Sequence, residues 1–387
     1  MERSGITNVS WYSVDMVESF SMRPQAFGLD ISDLSIKIID LTNHTPLLSL
    51  YGNKKETRIS VYGELRIKQG IVEKGEIKKQ ADLQEGIRRA VSSLSGTALN
   101  KRHVVASLPE ERAFVQVIQL PRMSKQEAMS AVPFEAENYI PYALDSVYID
   151  FEILPTLPNA DHIDVLLCAL PREIVDPYVE AIRGAGFTPL ALEIESLSFS
   201  RALMRGSVSP VPVLIMDLGE TRTGIAVFSD SSLRFTSSVP VSGAELTEAI
   251  MRSLGVEQSQ AEALKLSHGL SRASGEDSGV LQALIPPMTN LVEQTKKYMN
   301  FYESHEEHRH VSLKKETKIG KVILCGGGAS MKGIIPFLAK ELSIEVEKGN
   351  PWVNTPLFRG TLPPLALPDA LRYTTAIGLA LRGNTYD

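Results

Sequence analysis

Apolar and polar positions alternate through AFGLDISDLSIKIIDL, residues 26–41, which predicts a strand, a turn and a second strand. The period-two pattern returns at residues 58–67, 103–107 and 114–120, whereas Leu83, Ile87, Ala90, Val91 and Leu94 recur at helical spacing. Ser124 with Glu127 three places later forms a capping-box pattern, opening a helix that Pro133 should bend and Pro141 should end. HIDVLLCAL then predicts a buried strand, and residues 172–185 a helix closed by Gly186. Pro210 and Pro212 punctuate the chain before VLIMDLGETRTGIAVF, again strand, turn and strand. Leu284, Met288, Leu291, Tyr298 and Phe301 predict a long amphipathic helix over residues 284–302. VILCGGG is read as a strand leading to a helix over residues 331–342, and RYTTAIGLALR as a short apolar helix.

The two halves echo each other. Aligning Asp30 with Asp217 brings DIS onto DLG and sets Asp33 against Glu220, each inside a hairpin pattern. A strand that ends in Asp and turns through small or hydroxyl residues presents a carboxylate and free backbone N–H groups together, suited to Mg²⁺ and phosphate. Asp30 with Ser32, Ser35 and Lys37, and Asp217 with Gly219, Thr221 and Thr223, could therefore grip a nucleotide from opposite sides. In VILCGGGASMKG the missing side chains of Gly326, Gly327 and Gly328 would let a base or ribose approach the backbone.

Composition narrows the field. The 387 residues allow two or three cores, and 40 Lys plus Arg against 46 Asp plus Glu leave a formal charge of −6 without a strong basic cluster, which argues against nucleic acid as a ligand. No run of about 18 apolar residues predicts a membrane span, and no leader pattern is present, so the cytoplasm is the expected location. Cys168 and Cys325 lie in apolar runs and read as buried thiols. His305, His308 and His310 stand in a charged run without the i, i+4 pair of a zinc helix, and a solvated loop is expected there.

The order of the two aspartate turns and the glycine run resembles the actin-like ATPase superfamily. EAENYIP, SGAELTEAI, AEALKLSHG, ILCGGGASMKGI followed by GNPW, and TTAIGLALR narrow the resemblance to the PilM family of the type IV pilus inner-membrane platform, over residues 23–382. The resemblance implies an α/β chain with the actin-like ATPase fold, its FtsA-type subdomains 1A, 1C, 2A and 2B surrounding a nucleotide cleft. The implied layout is an N-terminal arm at 1–22, the first part of 1A at 23–109, a 1C insertion at 110–186, a return through 1A at 187–210, 2A and 2B at 211–368, and a C-terminal helix returning to 1A at 369–387. It implies ATP and Mg²⁺ as ligands. Asp30 and Asp217 would approach the metal, with Asp217 also in the catalytic role; Ser32, Ser35, Lys37, Gly219, Thr221 and Thr223 would meet phosphates. Glu262 and Lys265 would contact adenosine, and Gly326, Gly327 and Gly328 would line the base. One departure stands out: Ser32 and Asp33 replace the family's usual Gly-Ser, and a carboxylate facing the phosphates would weaken binding, whereas one that points away or joins the metal shell would leave it intact.

The implied role is an adaptor on the cytoplasmic face of the inner membrane, without a span of its own, with at most slow ATP turnover. It would hold the N-terminal cytoplasmic tail of a PilN-like membrane protein in a groove between 1A and 1C and link it to platform and motor proteins. Tyr139, Ile140 and Pro141, with Phe134, would supply that groove's apolar surface. On one helix Phe134 and Tyr139 diverge by about 140°, so one of the two is expected in the core. A small-molecule kinase and an FtsA-like filament remain as other readings. The kinase needs a positioned base beside a substrate pocket, and LRGNTYD carries no amphipathic anchor for the filament.

Overall fold

The first predicted hairpin forms as β1 (Ala26–Ile31) and antiparallel β2 (Ser35–His44), with Asp30 opposite Lys37. In this computed structural model residues 24–44, 56–155, 160–271, 278–306, 318–355 and 363–384 are described. The expected N-terminal arm and the expected solvated loop, with the side chains of His305, His308 and His310, lie outside them. β3 (Glu56–Arg66) pairs with β2 and sets Glu64 opposite Lys37 and Arg66 opposite Ser35. A small hairpin of β4 (Val72–Glu73) and β5 (Glu76–Ile77) precedes α1 (Gln80–Ser92), which buries Leu83, Ile87 and Ala90 at the predicted spacing. β6 (Ser95–Gly96) adds to the free edge of β3, and β7 (His103–Leu108) returns parallel to β1.

The chain then leaves this sheet. β8 (Phe114–Pro121), α2 (Lys125–Glu135), β9 (Val147–Leu154) and β10 (His162–Pro171) build an antiparallel sheet in the order β8-β10-β9 with a core of its own. The capping box is present: Ser124 N–H donates to Glu127 Oε2 (2.7 Å), and Glu127 N–H donates to Ser124 Oγ (3.2 Å). The expectation for Phe134 and Tyr139 fails, because both are on the surface, at 77% and 38% exposure. Helix α2 gives way to a 3₁₀ turn at Ala136–Asn138, so the helical angle no longer relates the two positions. Ile140, assigned to the partner groove, instead fills the core beside Val132 and Ala136. α3 (Arg172–Gly184) packs on α1, Gly186 turns the chain at φ 95°, and β11 (Thr188–Ile194) joins the first sheet parallel to β7.

After α4 (Glu195–Leu203), β12 (Ser209–Leu218), β13 (Thr223–Asp230) and β14 (Ser232–Val239) form an antiparallel meander. α5 (Gly243–Leu254), α6 (Gln258–Ser267) and α7 (Ser278–Glu306) follow; α7 is longer than its periodicity suggested and includes Pro286 and Pro287. β15 (Lys321–Cys325), α8 (Ile334–Leu342) and β16 (Glu345–Lys348) complete a parallel crossover beside β12. A 3₁₀ turn at Gly327–Ser330, which takes in the last two glycines of the run, precedes α8, which starts three residues later than predicted. The strand orders β3-β2-β1-β7-β11 and β14-β13-β12-β15-β16 match strand for strand, in the same directions. The echo in sequence is thus a duplicated sheet.

α9 (Leu367–Ala370) leads into α10 (Thr374–Asn384), which lies across β1 and against α4. Gly28 permits this approach, since a Cβ there would collide with the α10 backbone at Ala376 and Ala380. A buried ion cluster reinforces it: Glu193 accepts from Arg201 Nη2 (2.9 Å) and Arg382 Nη1 (2.6 Å). Among the described residues no helix is long and apolar enough to cross a membrane.

Candidate functional site

Duplication places Asp30 and Asp217 at the same penultimate position of β1 and β12, and both line one cavity of about 130 Å³ between the sheets. Ser107 Oγ donates to Asp30 Oδ1 (3.0 Å), and Lys37 Nζ reaches Oδ2 at 3.3 Å. Burial works against the Lys37 charge, but Asp30, Glu64 and Asp217 outweigh it and raise its pKa. Burial, then the repulsion of Asp30, pushes Asp217 up to about 6 despite Lys37 and Arg222. Behind it Gly326 has φ 78°, and a Cβ there would strike the Asp217 carboxylate.

The first turn is closed by Ser32 N–H donating to Ser35 O (2.9 Å) and by a 3.0 Å contact between their hydroxyls; both serines line the cavity with Lys37. On the opposite wall are Gly219, Glu220, Thr221 and Arg222. Thr223, expected there, is not part of it: the side chain is buried and its hydroxyl donates to Val241 O (2.7 Å). Asp33 also turns away from the cavity. Its carboxylate accepts the N–H groups of Lys74 (3.1 Å) and Gly75 (3.0 Å), two left-handed residues that make the tight turn between β4 and β5.

A second cavity of about 930 Å³ continues from the first, sharing Gly219, Glu220, Gly327 and Arg372 with it. Its size lies within the range of about 300–1,000 Å³ usual for ligand sites. Glu262 and Lys265 line it from α6, Gly327 and Gly328 from the glycine run, and Leu246, Met251, Leu266 and Met331 supply apolar surface. Lys265 Nζ donates to Gly243 O (2.8 Å) and Thr247 Oγ1 (2.6 Å), tying α6 to α5, and burial lowers its pKa. The three glycines therefore divide, with Gly326 behind Asp217, Gly327 at the junction and Gly328 beside the larger space.

Several residues here were not identified from sequence. Glu195 opens α4, is gripped by Arg222 Nη2, and is pushed by burial to about 7. The strand-end pattern shared with β1 and β12 picks out Glu193, the penultimate residue of β11, and not Glu195 two places on. Arg222 also meets Glu111 at 3.1 Å, and Arg372 meets Glu64 at 2.7 Å. The smaller cavity thus holds five carboxylates (Asp30, Glu64, Glu195, Asp217 and Glu220) against three cations (Lys37, Arg222 and Arg372). A polyphosphate would be repelled unless a divalent cation came with it. Among the described residues no group of three or more His, Cys, Asp or Glu side chains is placed to hold a metal by itself. Asp30 and Asp217 offer the one or two carboxylates that Mg²⁺ takes when phosphate oxygens and water complete its shell.

Away from the cleft, Tyr139 and Pro141 are exposed beside α2, where Met129, Phe134 and Tyr142 are also uncovered.

Among solved structures, the PilM-PilN type IV pilus biogenesis complex aligns with TM-score 0.74 and 24% identity, covering 93% of this chain and 99% of that one. MreB5 of Spiroplasma citri bound to AMPPNP aligns with TM-score 0.52 and 12% identity, covering 94% and 96%. The fold is that of the actin-like ATPases. Cell division protein FtsA of Escherichia coli K12 is 25% identical over 238 residues, 56% of this chain and 54% of FtsA. The chain thus spans about half the length of that relative. FtsA of Borreliella burgdorferi is 23% identical over 351 residues, 85% of this chain and 81% of that protein. The family model described as type IV pilus assembly protein PilM matches residues 28–384, and the chain belongs to that family.

Proposed function

We propose that the chain is an ATP-binding adaptor of type IV pilus assembly, working at the cytoplasmic face of the inner membrane through its partners. The observation that carries the nucleotide part is the pair of aspartate turns, Asp30 and Asp217, facing each other across one cavity that opens onto a larger, partly apolar one. In this reading Asp30 and Asp217 would hold a Mg²⁺ that accompanies the triphosphate and would supply positive charge between the two carboxylates. Ser32, Ser35, Lys37, Gly219 and Thr221 bind phosphates; Glu262, Lys265, Gly327 and Gly328 enclose adenosine. Asp217, in the catalytic role, would face the metal and the phosphates, and turnover would be slow at most; Arg222 holds Glu195 in the same cavity.

The three-stranded sheet with α2 would be subdomain 1C, the first large sheet 1A, and the second sheet with α5 to α7 the 2A and 2B pair. Family membership supports a PilN-like membrane protein as the partner, with its cytoplasmic tail laid beside 1C and platform or motor proteins linked through it. Tyr139 and Pro141 remain accessible for that contact, and Ile140 would support them from the core. Calorimetry with Mg-ATP and a non-hydrolysable analogue tests the first part; no heat at millimolar nucleotide would remove it. Fluorescence anisotropy with the labelled N-terminal peptide of a PilN-like protein tests the second. Tyr139→Ala should weaken the peptide about tenfold, the cost of losing an interface anchor, and leave Mg-ATP binding unchanged. Absence of peptide binding by the unaltered protein would end the adaptor reading.

A further inference from the structure

Arg66 ends β3 beside the first turn, and Glu220 directly follows Gly219 in the second, so the two side chains belong to opposite walls of the cleft. They are joined as a fork: Arg66 Nη1 binds Glu220 Oε2, and Nη2 binds Oε1 at 2.6 Å. Glu220 lines both cavities and Arg66 the larger, which puts the bridge at their junction. A nucleotide with its base in the larger cavity and its phosphates in the smaller would pass this bridge.

A guanidinium fork fits a phosphate as well as it fits a carboxylate. Arg66 is surrounded by carboxylates, since Glu64 and Glu262 add their attraction to that of Glu220. The bridging carboxylate has the charge a phosphate would bring to the same place, so the two anions compete for one cation. From this we propose that Arg66 is a ligand for the nucleotide's phosphates and that Glu220 occupies it in competition with them, setting the affinity of the cleft according to the number of phosphates. The proposal rests on the nucleotide reading above and adds its regulation.

The test is titration of Mg-ATP, Mg-ADP and adenosine into the full chain and into Glu220→Gln, Arg66→Ala and the double variant, with thermal unfolding to confirm folding. Arg66 is 55% and Glu220 35% exposed at the side chain, so both substitutions should be tolerated. Glu220→Gln should tighten Mg-ATP roughly three- to tenfold, the range for a charged contact discounted for exposure, with a smaller gain for Mg-ADP and none for adenosine. Arg66→Ala should weaken Mg-ATP by a similar factor, and in its background the gain from Glu220→Gln should shrink. Equal Mg-ATP affinity in Glu220→Gln and the unaltered protein would overturn the proposal. So would a gain as large for adenosine as for ATP, or a full gain without Arg66, because either makes the bridge a strut only. Failure of every protein to bind any nucleotide is a different result and would remove the nucleotide reading itself.

Discussion

Asp217→Asn is expected to act in opposite directions on stability and on binding. The carboxylate stands among Asp30 and Glu195, and its pKa of about 6 records a charge that burial and like-charged neighbours disfavour. Moved from the ordinary range to about 6, it costs the folded protein on the order of 3 kcal/mol once fully ionised. The amide has the same shape without the charge, so the variant should be more stable by about 1–3 kcal/mol near pH 7.5, a shift of a few degrees in Tm. A carboxylate whose folded pKa is raised takes up its proton earlier in the folded state than in the unfolded one. The cost is therefore absent below about pH 4, grows as pH rises toward 6, and is complete above 7. The gain of the variant should shrink accordingly between pH 7.5 and pH 5.

Mg-ATP should close the gap. A ligand at a hundredfold its Kd stabilises the protein that binds it by about 2.7 kcal/mol, and the variant, lacking one metal-facing carboxylate, should lose most of that. Scanning fluorimetry of both proteins with and without saturating Mg-ATP would show the unaltered chain gaining more than the variant. An Asp217→Asn protein that melts lower without nucleotide, or gains as much from Mg-ATP as the unaltered chain, refutes the reasoning.

Glu193→Gln is the contrasting substitution, because it removes the carboxylate that Arg201 and Arg382 share; unfolding in urea should show a loss of about 3–5 kcal/mol, the range for breaking a buried pair. Asp33→Ser removes the acceptor for two N–H groups in the turn between β4 and β5 and should cost about 1–3 kcal/mol, while calorimetry finds Mg-ATP affinity unchanged; a tighter complex would mean that Asp33 faces the phosphates after all. Steady-state phosphate release should stay well below the enzyme median of about 10 s⁻¹, and a faster rate would contradict an adaptor that uses its nucleotide for shape more than for flux.

Much of the fold was legible because its signals are local. Alternating runs marked β1, β2, β3, β7 and β8, continuous apolar runs marked β10, β12, β13 and β15, and Ser124 with Glu127 marked the start of α2 to the residue. The errors arose where local rules compete. Phe134 and Tyr139 were related by helical geometry across a point where the chain changes to a 3₁₀ turn, and Ile140 took the core position instead. Glu64, Glu195 and Arg222 could not be assembled from spacing because each comes from a different segment, and only strand pairing brings Glu64 beside Lys37 and Asp30. Thr223 misled for a simpler reason. It continues β13, where alternate side chains face opposite sides, and its own side is turned toward Val241.

Buried carboxylates in this chain separate into two kinds by the cations around them. Glu193 has two guanidinium groups and the Ser198 hydroxyl against one carboxylate, and its pKa is held at about 2 although burial alone would raise it. Such an arrangement is satisfied as it stands and locks α4 to α10. Asp217 and Glu195, in the cleft, are pushed to about 6 and about 7, first by burial and then by Asp30, in a cavity lined by five carboxylates and three cations. Both places are buried and both carry charge, so neither burial nor residue type separates scaffold from site. The sign of the remaining charge does. A carboxylate outnumbered by its cations stabilises the fold, whereas a cluster with excess negative charge is costly until a cation arrives. The excess lies between the two aspartate turns, where a magnesium ion carried by a polyphosphate would supply the missing positive charge.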